Sequence, residues 1–222
     1  TRYRDIRSGM NRPGGLGWIG RIAQAATRPR WAYGVGLAGR PLRFANLDGA
    51  VSGATSLDQL LPWIVRNMDP TVTWDDFARI RARWKGEVLI KGIMDPDDAQ
   101  RALEAGADAI IVSNHGGRQL DGASSTIRSL PAIAQTVGGR VPVMVDGGIR
   151  SGIDILRCLA SGADACLIGR AWAYALAAGG EQAVLHMLQS MRAELSVAMA
   201  LTGCTSIAKA RDSLLDRQES HP

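Results

Sequence analysis

His115 and Arg118 stand three residues apart in "SNHGGRQLDG", directly after the apolar run Ala109 to Val112. An imidazole gains and loses protons near neutral pH, and a guanidinium can clamp a carboxylate through two parallel N–H groups. Together they suit acid–base chemistry on an anionic substrate. The other two histidines, His186 on a late amphipathic stretch and His221 in the tail, are expected to be ordinary packed or solvated side chains. A catalytic imidazole needs a carboxylate to orient it. Asp75, Asp76 and Asp121 are the candidates.

A second chemistry is written in glycines. "VDGGIRSG" carries Asp146, Gly147, Gly148, Ile149 and Arg150, and "LIGRA" carries Gly169 and Arg170. Bare backbone N–H groups at a helix start, with an arginine beside them, form a cradle for phosphate. Lys91 follows "VLI", where a cation at a strand mouth stabilises anionic charge on a bound cofactor.

These residues need a scaffold that brings them to one place. From Val88 onward, short apolar runs alternate with 10- to 15-residue stretches of helical spacing, closed by glycines. That alternation predicts βα units on a parallel sheet. Lys91, Ser113, Asp146 and Gly169 close the four runs, at intervals of 22, 33 and 23 residues. Four consecutive strands thus deliver polar residues or glycine to their C-terminal edge, where parallel α/β folds keep their active sites. No G-x-G-x-x-G opens a helix, so a doubly wound sheet is the weaker expectation. The expected fold is α/β, the C-terminal half of a (β/α)8 TIM barrel, over residues 1–222. Residues 1–87 show no further clear strand: they hold a Gly/Pro/Arg-rich inserted loop at 11–56, a helix at 57–68 and another from Trp74 to about Trp84. The other half of the barrel is expected on a missing N-terminal segment or a second chain.

Composition narrows the rest. No apolar run reaches the roughly 18 to 20 residues of a membrane span, and no apolar segment follows the basic N-terminus as a signal peptide would require. With no initiator methionine, the chain reads as the later part of a longer one. Three cysteines without a CxxC pair, Cys158, Cys166 and Cys204, are expected to be reduced core thiols in the cytoplasm. Of the net charge of +5, residues 1–43 contribute +8, from nine arginines and one acid. No nucleic-acid partner and no metal site are expected.

The spaced blocks "KG", "SNHGGRQLDG", "DGGIRSG" and "GR" resemble the FMN-dependent L-2-hydroxy acid dehydrogenases and oxidases, and the likeness runs from "RYRDIRSG" to "LTGCTSI". "RPRWAYGVGLAGRP" and "TWDDFARIRARW" bring it closest to the bacterial lactate and mandelate dehydrogenases. The resemblance implies FMN as cofactor and a small 2-hydroxy acid as substrate. It implies His115 as the base, Asp76 as its partner, and Arg118 and Arg2 as the carboxylate ligands. Lys91 would lie by flavin N1 and O2, with Ser113 and Thr73 as further flavin contacts. Asp146, Gly147, Gly148, Ile149, Arg150, Gly169 and Arg170 would form the phosphate-binding segment. A homo-oligomer is also expected.

Residues 11–44 interleave six arginines with Trp18, Ile19, Trp31, Tyr33 and Leu37. Arginines suit anionic headgroups and tryptophans suit the interface. With the resemblance, this places the protein on an anionic membrane surface, at the cytoplasmic face of the inner membrane, with electrons passing to a quinone or the respiratory chain. Two rivals are a nucleotide- or FMN-binding barrel with other chemistry, which leaves the His115–Arg118 pair without a purpose, and a non-catalytic half-barrel assembly subunit.

Overall fold

The computed structural model describes residues 15–39, 63–210 and Leu214. Arg2 and residues 11–14 and 40–56 of the expected inserted loop lie outside the described residues. The chain divides into two units, Thr1–Thr71 and Val72–Pro222.

In the first unit, the described part of 11–56 is helical. Helix α1 spans Gly15–Ala26, and the short α2, Pro29–Trp31, runs into a π-helical turn at Ala32–Leu37. Pro29 opens α2, where its missing N–H costs nothing. Residues 63–67 are helical too, inside the stretch 57–68 where a helix was expected; 57–62 lie outside the described residues.

The second unit starts with α3 (Trp74–Arg83), then alternates β1 (Leu89–Ile93), α4 (Pro96–Glu104), β2 (Ala109–Val112), α5 (Thr126–Val137), β3 (Val143–Asp146), α6 (Gly152–Ala160), β4 (Ala165–Leu167) and α7 (Arg170–Leu201). All neighbouring strands are parallel, and the order is β1-β2-β3-β4. A doubly wound sheet reverses its order part-way, because its crossovers go to both faces. Here chain order and spatial order agree, so right-handed crossovers stack every helix on one face. That is the winding of a barrel segment.

Register sorts the side chains by face. Ile90, Ile110 and Val143 form one row, and Ile93, Val112, Val145 and Cys166 another. Both rows pack with Leu130, Ile133 and Val137 of α5 into the main core. The row between them, Lys91–Ile111–Met144–Ala165, and Asp146 with Leu167 beyond, faces the other way. Ile110, Val112, Leu130, Ile133, Val137 and Val145 are fully buried, each contributing on the order of 1.5–3 kcal/mol.

The N-terminal edge of the sheet is tied by a repeated device. "GAD" occurs at 106–108 and again at 162–164. Asp108 accepts from the Val88 N–H at 2.8 Å, and Asp164 from the Val143 N–H at 2.8 Å. Each aspartate therefore clamps the start of the neighbouring strand. At the other end, α6 lies hard against α7: a Cβ on Gly152 would collide with the backbone of Met191 and Leu195. Glu194 of α7 accepts the Gly152 N–H at 2.7 Å, which caps α6 from outside.

Two details differ from the expected pattern. Lys91 does not end its strand but sits in the middle of β1, which continues to Ile93 through an irregularity at Gly92, φ +106°. Such a bulge re-aims the residues beside it. The last helix, Arg170–Leu201, runs to 32 residues rather than 10 to 15, with a break at Gly179 and Gly180. The cysteines are free thiols, with Cys158 and Cys204 buried. Cys166 shares a hydrogen bond with Cys158, and that bond together with burial pushes its thiol up.

Candidate functional site

The C-terminal edge is built from three strand ends. After β2, Ser113 is almost fully buried, 2% exposed, and the chain turns at once. His115, Gly116 and Gly117 all take positive φ, at 57°, 64° and 68°. Among the described residues His115 is the one non-glycine in this region, at a cost of about 1 kcal/mol. Asn114 holds the turn together. Its side chain accepts from the Gly117 N–H at 2.9 Å and donates to the Ser124 carbonyl at 2.9 Å. The result presents His115 and Arg118 outward, both exposed. Neither side chain has a hydrogen-bond or ion-pair partner among the described residues.

Lys91 reaches this turn from β1. Its Nζ donates to Ser113 Oγ and lies 2.7 Å from Asp146 Oδ2, at the end of β3. Ser113 Oγ also accepts the His115 backbone N–H, at 3.1 Å. A continuous polar path thus joins Asp146, Lys91, Ser113 and the His115 backbone. Asp146 Oδ1 is buried and has no partner among the described residues.

The glycines beyond β3 and β4 leave room. Gly147 and Gly148 have φ of 92° and 82°. A Cβ on Gly148 or on Gly169 would meet nothing within 4 Å. The Asp146 carbonyl accepts from Thr126 Oγ1 at 2.6 Å, which steadies the turn from α5. Ile149 is buried, whereas Arg150 and Arg170 are exposed. Arg170 also donates to the Gly116 carbonyl at 3.2 Å, linking the β4 end to the His115 turn.

The expected residues Lys91, Ser113, His115, Arg118, Asp146–Arg150, Gly169 and Arg170 therefore gather on the ends and following turns of one sheet. Thr73 and Asp76 serve a local purpose in this structure. They form a capping box at the start of α3: Asp76 accepts from the Thr73 N–H and hydroxyl at 2.8 and 2.7 Å, and it pairs with Arg79. The Thr73 hydrogen bonds, with Arg79, hold the Asp76 carboxyl below its ordinary 3.8. Asn114 and Thr126 were missed from sequence. An Asn two residues ahead of a Gly-Gly pair is a signal for a side-chain-held turn.

The sequence matches a known family: the model for FMN-dependent dehydrogenases covers residues 1–217. The chain belongs to that family. Its relatives include an L-lactate dehydrogenase of Caulobacter vibrioides, 49% identical over 215 residues, which are 97% of this chain and 56% of the relative. Another, from Alcaligenes faecalis, is 49% identical over 218 residues, 98% of this chain and 57% of the relative. A mandelate oxidase solved with (S)-2-phenylpropionate is 47% identical with a TM-score of 0.61, covering 63% of this chain and 42% of that one. The chain spans a little over half the length of these curated relatives. The family is built on TIM barrels, of which this chain covers part, consistent with the four parallel strands in sequential order.

The residues present fit FMN, the family's cofactor. A phosphate needs N–H donors and positive charge; the open glycines and exposed Arg150 and Arg170 supply both. A hydroxylated chain needs acceptors, and Asp146 Oδ1 is a buried acceptor with no donor among the described residues. Among the described residues no cluster of metal-binding side chains exists.

Proposed function

We propose that this chain is the FMN- and substrate-binding part of an oxidoreductase that converts an L-2-hydroxy acid, of the lactate or mandelate kind, to the 2-oxo acid. The observation that carries the reading is the His115–Arg118 turn, anchored through Ser113 to Lys91 on the same sheet edge as the two glycine–arginine loops. Arg150, Arg170 and the Gly148 and Gly169 backbones hold the phosphate of FMN, which supplies a two-electron acceptor when bound. Arg118, with Arg2, holds the substrate carboxylate. His115 accepts the proton released as the C2 carbinol becomes a carbonyl, and Lys91 offsets negative charge that develops on the cofactor. The resemblance gives Asp76 the orienting of the imidazole; that role requires its carboxylate to leave Arg79.

Two partners complete the proposal. Strands β1 and β4 each have one neighbour among the described residues, and Leu89 on β1 is 43% exposed. An N-terminal half-barrel, on the same polypeptide or another, covers these edges. The second partner is an anionic membrane surface at the cytoplasmic face. In the first unit Ile19, Trp31, Tyr33 and Leu37 are exposed alongside Arg28 and Arg30. The proposed attachment is peripheral, at about 1 kcal/mol per basic residue engaged. Electrons then pass to a membrane acceptor.

The test is optical. The purified protein carries a flavin spectrum that L-lactate or L-mandelate bleaches anaerobically; a preparation that takes up FMN and stays oxidised with both acids contradicts the activity. Flotation with anionic and neutral vesicles checks the membrane claim. Binding needs anionic lipid and weakens with salt, and protein that stays soluble in every condition refutes it.

A further inference from the structure

We infer that Asp146 is the residue that positions Lys91 and sets how much of its charge the cofactor feels, rather than a phosphate contact. The inference rests on the reading that this sheet edge holds FMN. Register puts Lys91 on the row that faces away from the helices, and Asp146 on the same face, one row nearer the C-terminal edge. The two lie on β1 and β3, with β2 between them, so the lysine stem has to cross β2 to reach the carboxylate. It does so over Ser113. The ammonium is held on one side by Ser113 Oγ and on the other by Asp146 Oδ2 at 2.7 Å.

The carboxylate itself is the better-buried partner: the Asp146 side chain is 17% exposed, against 42% for Lys91. A buried carboxylate beside a dianionic phosphate would repel it, so a phosphate role suits Asp146 poorly, whereas a cation partner suits it well. The carboxylate removes most of the ammonium's freedom to swing and neutralises part of its field. Replacing it with a neutral amide leaves Lys91 less anchored and more fully positive. Negative charge on a reduced cofactor is then better stabilised, and the cofactor becomes easier to reduce.

The pair can be tested without any flavin. A carbodiimide activates a carboxylate, an adjacent amine attacks it, and the urea departs, leaving an amide with net loss of one water. The chain has three lysines, Lys85, Lys91 and Lys209, so the products are easily assigned by peptide mass mapping. The flavin-free full chain is expected to yield a Lys91–Asp146 link that disappears in Asp146→Asn. Folded wild type giving no such link, or linking Lys91 to a different carboxylate, overturns the pair. This result stands whether or not the chain takes up FMN, and a chain that never does so overturns the functional reading instead. In FMN-loaded protein, Asp146→Asn raises the flavin midpoint potential and Asp146→Glu restores it. An unchanged potential with weaker FMN retention shows a merely structural aspartate and overturns the positioning role. Should Asp146→Asn fail to fold, the wild-type cross-link and the Asp146→Glu potential, expected near wild type, decide the matter.

Discussion

The two ends of the same sheet use the same residue type for opposite purposes. At the N-terminal edge, Asp108 and Asp164 each accept a strand's first N–H at 2.8 Å. At the C-terminal edge, Asp146 faces a lysine with one oxygen and has no partner among the described residues for the other. In the first pair each carboxylate is engaged by a backbone N–H, and its business is holding strands in register. The second is unsaturated, beside glycines that leave open space. Buried polar groups are normally satisfied, so an orphan in a folded protein asks for a ligand. In parallel βα folds, residues at the N-terminal edge serve stability and those at the C-terminal edge serve chemistry.

Substitutions should separate the two edges. The largest effect is expected from His115→Gln, which slows anaerobic flavin reduction by at least about 10²-fold, the lower range for a lost general base. The melting temperature should stay near wild type, because His115 is exposed and Gln bears the same positive φ at a similar cost. Arg150→Ala combined with Arg170→Ala comes next. Losing charged hydrogen bonds to a phosphate weakens FMN binding roughly 30-fold, about 2 kcal/mol, as fluorescence titration would show, while reduction per bound flavin changes little. Full FMN occupancy in that variant would move the phosphate elsewhere.

The opposite edge gives the opposite pattern. Asp164→Ala leaves the Val143 N–H without its side-chain acceptor, at a cost of about 1–3 kcal/mol in chemical denaturation. The smallest effect lies in the α3 cap. Thr73→Ala removes the capping hydroxyl and costs about 1 kcal/mol. Because the Asp76 carboxyl is held below 3.8 in the folded chain, its contribution is complete above that pH and fades as pH falls through the folded value. The Thr73→Ala deficit should therefore shrink in acid. A deficit constant from pH 7 down to pH 3 would sever the cap from its carboxylate.

How much of this could be read from sequence depended on range. The strand–helix alternation is a local pattern and it matched the structure, and the glycines after His115 and after β3 lie in the turns that follow their strands. The Lys91–Asp146 pair was invisible because it depends on register between strands 55 residues apart in the chain. The bulge at Gly92, which leaves Lys91 mid-strand and facing away from the helices, has no local signature beyond a single glycine. Thr73 and Asp76 are a different case. "TWDD" places Asp three residues after Thr, a capping-box spacing, whereas the family resemblance implied Thr73 as a flavin contact and Asp76 as the partner of His115.

The central claim is that the C-terminal edge of this sheet performs chemistry while the opposite edge supplies stability. It is tested most directly by measuring two quantities, flavin reduction rate per bound FMN and melting temperature, on two variants side by side. His115→Gln should lose the rate and keep the melting temperature; Asp164→Ala should lose melting temperature and keep the rate. If His115→Gln reduces its flavin at the wild-type rate, or Asp164→Ala slows reduction without destabilising the fold, the assignment of the two edges is wrong.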